Sequence, residues 1–86
     1  MEAHRIIKHP LSTEKSIRLM ESENKLVFIV DRKAKKADIK KAIEEMFKVK
    51  VAEVNTFVNN KGVKKAYVRF SMESPAIDIA TQLGLM

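Results

Sequence analysis

The side chains of this chain that could act on a ligand are cations and amides, not nucleophiles or metal ligands. There is no cysteine among the 86 residues. That removes thiolate nucleophiles, disulfides and Cys-based zinc sites together. The histidines, His4 and His9, stand near the N-terminus with no Asp or Glu cluster beside them. An activated Ser, Thr or Lys would need a positioned base. Glu44 and Glu45 are adjacent on a helical stretch, so they diverge and form no carboxylate pair. Neither a P-loop nor a Gly-rich dinucleotide fingerprint occurs. The sequence therefore predicts no catalysis, no metal site and no cofactor.

The cations are better placed. Arg32, Lys33, Lys35, Lys36, Lys40 and Lys41 fall within ten residues, with Asp38 as the acid among them. They surround the start of a helix, where free N–H groups and the helix dipole already favour anions. A second group, Lys61, Lys64, Lys65 and Arg69, flanks Asn59 and Asn60, and no acid lies between Glu53 and Glu73. Amides and cations on a projecting loop suit a folded RNA, where phosphates, 2′-hydroxyls and base edges meet irregularly. A solvated helix face and lysine protection of an edge strand are the plainer explanations of the same residues.

Composition agrees with a polyanionic partner. Lys and Arg number 17 against 11 Asp and Glu, a net charge of +6. Such an excess on a short chain favours RNA, DNA or an anionic surface. The length predicts one small domain, residues 1–86, and 45% hydrophobic residues suffice for a core. No signal peptide is legible, and the longest apolar run, Leu26 to Val30, is far too short to insert in a bilayer. With no disulfides to staple so small a domain, a cytoplasmic location is expected.

The elements that must position these cations follow from periodicity. A short edge strand is expected over Arg5–Lys8, ended by Pro10. Ser12 and Thr13 precede Glu14, which signals a short helix from about Thr13 to Glu21. Lys25 to Asp31 reads as a strand apolar on both faces, hence central. Ile39, Ala42, Ile43, Met46 and Phe47 recur at helical spacing, which predicts an amphipathic helix from about Lys35 to Lys48. Val49–Val58 and Lys65–Ser71 form a hairpin about the turn Asn59-Asn60-Lys61-Gly62. Ser74 caps a last short helix with Pro75 at its first position, burying Ala76, Ile77, Ala80 and Leu83, with Gly84 as the stop. The fold class is α+β: an antiparallel or mixed sheet of three to four strands with split β-α-β topology, one long helix packed on it and two short helices. Phe28, Phe47 and Phe70 are assigned to the core, which leaves little aromatic surface for base stacking. Backbone and shape recognition should then dominate.

Three segments resemble the ribosomal protein 23 family of the large subunit. They are Ile7-Lys8-His9-Pro10-Leu11-Ser12-Thr13-Glu14-Lys15-Ser16, then Phe47-Lys48-Val49-Lys50-Val51-Ala52-Glu53-Val54-Asn55-Thr56, then Lys64-Lys65-Ala66-Tyr67-Val68-Arg69-Phe70. The short hairpin loop and the tail from Ala76 to Leu85 are similar to archaeal members. The resemblance implies a non-enzymatic constituent of the cytoplasmic ribosome, bound to large-subunit rRNA beside the polypeptide exit tunnel. It implies contact with the neighbouring ribosomal protein 29, and docking of the signal recognition particle and the protein-conducting channel. Carried over by motif, Lys8, Thr13, Lys15, Asn55, Thr56, Asn60, Lys61, Lys64 and Lys65 are the rRNA candidates, and Glu14 is the factor-docking candidate. Lys33, Lys35 and Lys36 join them on charge. As a plain helical residue, Glu14 is equally a first-turn acid favourable to the dipole.

Two other readings fit parts of the chain. Ala66-Tyr67-Val68-Arg69-Phe70 also matches a strand of the RNA-recognition motif. Exposure of Phe28 and Tyr67 together on one sheet face would favour a free-standing protein of that kind. A small phosphatase on a ferredoxin-like fold would need an anion cradle with a catalytic Arg or Asn in a Gly-rich loop, which the sequence lacks.

Overall fold

The computed structural model of the chain describes residues 3–11 and 13–84. Ser12 and Leu85, used above, lie outside the described residues, as does the side chain of His4. One helical turn, α1 (Ala3–Ile6), leads into strand β1 (Ile7–Pro10). The N-terminal strand thus starts at Ile7 and includes Pro10, where an extended Arg5–Lys8 was expected. It is an edge strand, and proline is tolerated there because its missing N–H faces no ladder partner. The other elements are α2 (Glu14–Glu23), β2 (Lys25–Val30), α3 (Lys36–Phe47), β3 (Val51–Val58), β4 (Lys64–Phe70) and α4 (Ala76–Gln82).

The four strands lie in the order β1-β2-β4-β3, and every neighbouring pair is antiparallel. β2 and β3, joined through α3, therefore run parallel to each other with β4 between them. This explains the apolar run of β2. It pairs on both sides, and Leu26 to Val30 are all buried. Leu26, Phe28 and Val30 face the helices, as do Ala66, Val68 and Phe70 of β4, and they meet Ile39, Ala42 and Ile43 of α3. Burial of each such large side chain favours folding by roughly 1.5–3 kcal/mol. The Phe28 and Phe47 rings pack tilted at 6.4 Å between centroids. Met46, placed by its spacing on the same stripe, is instead exposed at the end of α3.

Helix caps explain the remaining boundaries. The Thr13 hydroxyl accepts from the Ser16 amide at 3.2 Å, and the Ser16 hydroxyl accepts from the Thr13 amide at 2.7 Å. This reciprocal box fixes the start of α2. The helix runs two residues past Glu21 and spans ten residues against twelve for α3, so it is not markedly the shorter. It stops at Asn24, which is left-handed at φ 57°. α3 has no side-chain oxygen at its cap, but the Asp38 carboxylate accepts from the Lys35 amide at 3.2 Å. At α4 the expectation fails in detail. Pro75 is the cap, and the Ser74 hydroxyl accepts from the Lys50 amide instead of capping the helix. The free Ala76 amide donates to the Asn24 side chain. Ile79 is buried where Ile77 was expected, and Ile77 is exposed. Gly84, at φ 74°, follows the last turn as a stop.

Candidate nucleic-acid interface

Two basic stretches that are distant in sequence meet at one end of the sheet. β2 ends at Val30, which pairs with Lys64 at the start of β4. The β2–α3 loop therefore lies beside the β3–β4 hairpin. The Lys64 ammonium donates to the Ala34 carbonyl, and the Arg32 guanidinium lies against Gly62. Lys33, Lys35, Lys36, Asn60 and Lys61 are exposed around this junction. The acids there are turned to local structure: Asp31 accepts from the Lys33 amide, and Asp38 from the Lys35 amide. The hairpin is ordered by Asn59, whose side-chain oxygen accepts from the Lys61 and Val63 amides at 2.9 and 3.0 Å. Gly62 takes φ 79°, a conformation that costs other residues.

The sheet face turned away from α3 forms the second surface. Strand alternation and register place Lys65, Tyr67 and Arg69 of β4 there, opposite Phe57, Asn55 and Glu53 of β3. On the other flank of β4 they oppose Ile29, Val27 and Lys25 of β2. Asn55 donates its amide to Glu53 at 2.9 Å, and Arg69 pairs with the same carboxylate at 2.8 Å. The hydrogen bond from Asn55, then the Arg69 guanidinium, hold the Glu53 carboxyl below the usual carboxylate range. This strip sets Lys25, Lys65 and Arg69 against Glu53, a smaller excess of cations than at the sheet end. Next to it α2 leans over β2 and closes a cleft of about 130 Å³, lined by Leu11, Thr13, Lys15, Ser16, Leu19, Val27, Lys65 and Tyr67.

The structure thus divides the candidate residues. Lys33, Lys35, Lys36, Asn60, Lys61 and Lys64 gather at the sheet end, while Thr13, Lys15, Lys65 and Asn55 belong to the open face. Lys8 is exposed in the bulge of β1. Thr56 parts from Asn55: it pairs with Ala66 on the core side and is half-buried. Glu14 is exposed in the first turn of α2 and pairs with Arg18 at 3.2 Å, one helical turn on.

The aromatic assignment needs correction. Phe28 and Phe70 are buried in the core as expected, but Phe57 is 58% exposed and Tyr67 is half-buried on the open face. Stacking surface is therefore present. The alternation of β4 already set Tyr67 apart from Ala66 and Phe70. No comparable signal marked Phe57, which sits in a run of strand-forming residues. With Phe28 fully buried, the pair of exposed rings required by the recognition-motif reading does not form. Among the described residues no cluster of three His, Cys, Asp or Glu could hold a metal, and no helix is long and apolar enough to cross a membrane.

Comparison with known proteins gives one consistent answer. A family profile described as ribosomal protein L23 matches residues 5–77. A protein of Methanococcus vannielii named large ribosomal subunit protein uL23 is 49% identical over 85 residues, covering 99% of both chains. Its namesake in Methanococcus aeolicus is 46% identical with the same coverage. A protein of the same name in Trypanosoma brucei brucei is also 46% identical, but this chain spans 52% of its length.

Proposed function

The chain belongs to the ribosomal protein L23 family, and from that premise we propose that it binds large-subunit rRNA as one domain, residues 1–86, beside the polypeptide exit tunnel. It is a ribosomal constituent and not an enzyme, and its place is the cytoplasmic ribosome. One observation supports the RNA reading most: two separate basic loops are brought to a single sheet end, where their local acids are committed to backbone amides. Arg32 and five lysines there outnumber Asp31 and Asp38, and the excess is available to neutralise phosphates. Lys33, Lys35, Lys36, Lys61 and Lys64 supply that charge, and Lys8 adds to it from β1. Thr13, Lys15, Asn55 and Lys65 meet the RNA on the open face, and Asn60 meets it from the hairpin. Thr56, on the core side, supports the strand that presents Asn55.

Ribosomal protein 29 is the proposed neighbour, and Glu14 the proposed docking point for factors that meet the nascent chain, among them the signal recognition particle and the protein-conducting channel. Its exposed position at the start of α2 is compatible with such a role. The test titrates the protein against a large-subunit rRNA fragment and an unrelated structured RNA of equal length, at two salt concentrations. Phosphate contacts make both interactions salt-sensitive, so the ratio of the two affinities is the informative quantity. A preference for the rRNA that persists at the higher salt is expected. Equal affinity for both RNAs would overturn the reading.

A further inference from the structure

We infer that the cleft between α2 and β4 takes one unstacked nucleotide, its base lying against Tyr67 over an apolar floor and its phosphate held by Lys15 and Lys65. The inference rests on the RNA-binding reading above and specifies one subsite within it.

The cleft has the amphiphilic character of a nucleotide. Val27, 3% exposed, and Leu19 form the floor, and Tyr67 forms a wall. Lys15 and Lys65 stand at the rim. Among the described carboxylates none pairs with either lysine, whereas the nearby Lys25 and Arg69 are paired with Glu23 and Glu53. The Ser16 hydroxyl is already committed to the capping box as donor and acceptor, whereas that of Thr13 only accepts there. The Tyr67 hydroxyl, by contrast, has no hydrogen-bond partner among the described residues. Size agrees as well. A water's share of liquid volume is about 30 Å³, so the volume of about 130 Å³ holds about four waters, which a single flat base can displace but a stacked run cannot enter. An extended peptide fits less well. Peptides add to sheets through a free strand edge, and β2 and β4 are both internal strands.

Tyr67 is the sole tyrosine, and the chain has no tryptophan. Intrinsic emission therefore reports on this one ring. Titration of the wild-type protein with the large-subunit rRNA fragment should quench it. Loss of a base–aromatic stack weakens binding measurably, so Tyr67→Leu should reduce affinity about ten-fold while Tyr67→Phe stays within about two-fold. Leucine retains apolar bulk, so a merely structural role would leave Tyr67→Leu close to Tyr67→Phe. The salt dependence should be unchanged in both, whereas Lys15→Gln and Lys65→Gln should each lower its slope by about one. Unquenched emission together with wild-type affinity in Tyr67→Leu would overturn the inference. If the lysine variants still lowered the slope in that case, the cleft would be a phosphate site without a base. Intact preference for rRNA with a silent Tyr67 removes only this inference. Absence of any preference in the wild type removes the underlying reading too.

Discussion

Replacement of Asn24 offers the sharpest test of how the two halves of this fold are joined. Its side-chain amide donates to the carbonyls of Phe70, Ser71 and Ser74 at 3.1, 3.2 and 3.3 Å. Its side-chain oxygen accepts from the Ala76 amide at 2.6 Å. Its backbone is left-handed at φ 57° and ψ 38°, and its amide donates to Leu19 to close α2. Asn24→Ala therefore removes two things. A side chain with a Cβ but no local hydrogen bond tolerates this conformation poorly, at about 1 kcal/mol. The Ala76 donor and the turn carbonyls also lose their partner, at about 1–3 kcal/mol. The sum is about 3 kcal/mol, a large fraction of the 5–15 kcal/mol typical of small domains. For a domain of this size that corresponds to a fall in Tm of roughly 12–24 °C. Asn24→Gly retains the conformation and loses only the bonds, so it should fall short of the alanine variant by about 1 kcal/mol. Urea unfolding followed by circular dichroism measures both. An alanine variant within about 1 kcal/mol of the parent would refute the reasoning, because the side chain would then not join the halves.

Gly62→Ala should cost about 1 kcal/mol from its positive φ alone, because the nearest atom to an added Cβ, on Arg32, is at an ordinary 3.5 Å; a loss well above that in urea would mean that the hairpin is tighter than described. Glu53 has a lowered folded pKa, so its stabilisation is present above the ordinary carboxylate pKa and is lost as pH falls through the folded value. Glu53→Gln should accordingly flatten the acid side of the stability–pH curve, and an unchanged acid limb would contradict the assigned pairing. Glu14→Ala breaks an exposed pair worth at most about 1 kcal/mol. It should leave rRNA affinity unchanged while weakening co-sedimentation of a docking factor with ribosomes; reduced rRNA affinity would place Glu14 in the RNA interface instead.

What the sequence conveyed follows from the range of each interaction. The helical spacing of Ile39, Ala42 and Ile43 and the apolar run of β2 are local patterns, and both elements stand where those patterns put them. The core side of β4 was equally legible from its alternation. Misreadings arose where a distant partner decides. Ser74 and Pro75 carry the local signature of a helix start, yet the hydrogen bond to the Ala76 amide comes from Asn24, 52 residues earlier. Ile77 and Ile79 both fit an amphipathic turn, and only the position of α4 selects Ile79 for burial. Asn55 and Thr56 are adjacent in one motif, and the strand turns them to opposite faces. The meeting of the two basic stretches was not legible at all, since it depends on the Val30–Lys64 register.

That register also accounts for the difference between the two surfaces. The sheet end is made of loops, and loops can carry an excess of charge because their side chains need no complementary neighbour. The open face is made of strands, where each side chain faces another across a ladder, and like charges directly opposite are unfavourable. Glu53 opposite Arg69 and Phe57 opposite Lys65 meet that requirement, and Lys25, opposite Arg69 on the other flank, is offset by Glu23 at 3.6 Å. The strand surface is consequently less charged but more exactly shaped, with ring, amide and cation at fixed spacings. Phosphate contacts orient a protein on its nucleic acid, while contacts to bases discriminate between sequences. The loop end is therefore suited to the first task and the open face to the second. The insertion of β4 between β2 and β3 places the two side by side, since β4 begins with Lys64 at the basic end and continues through Lys65 and Tyr67 along the open face.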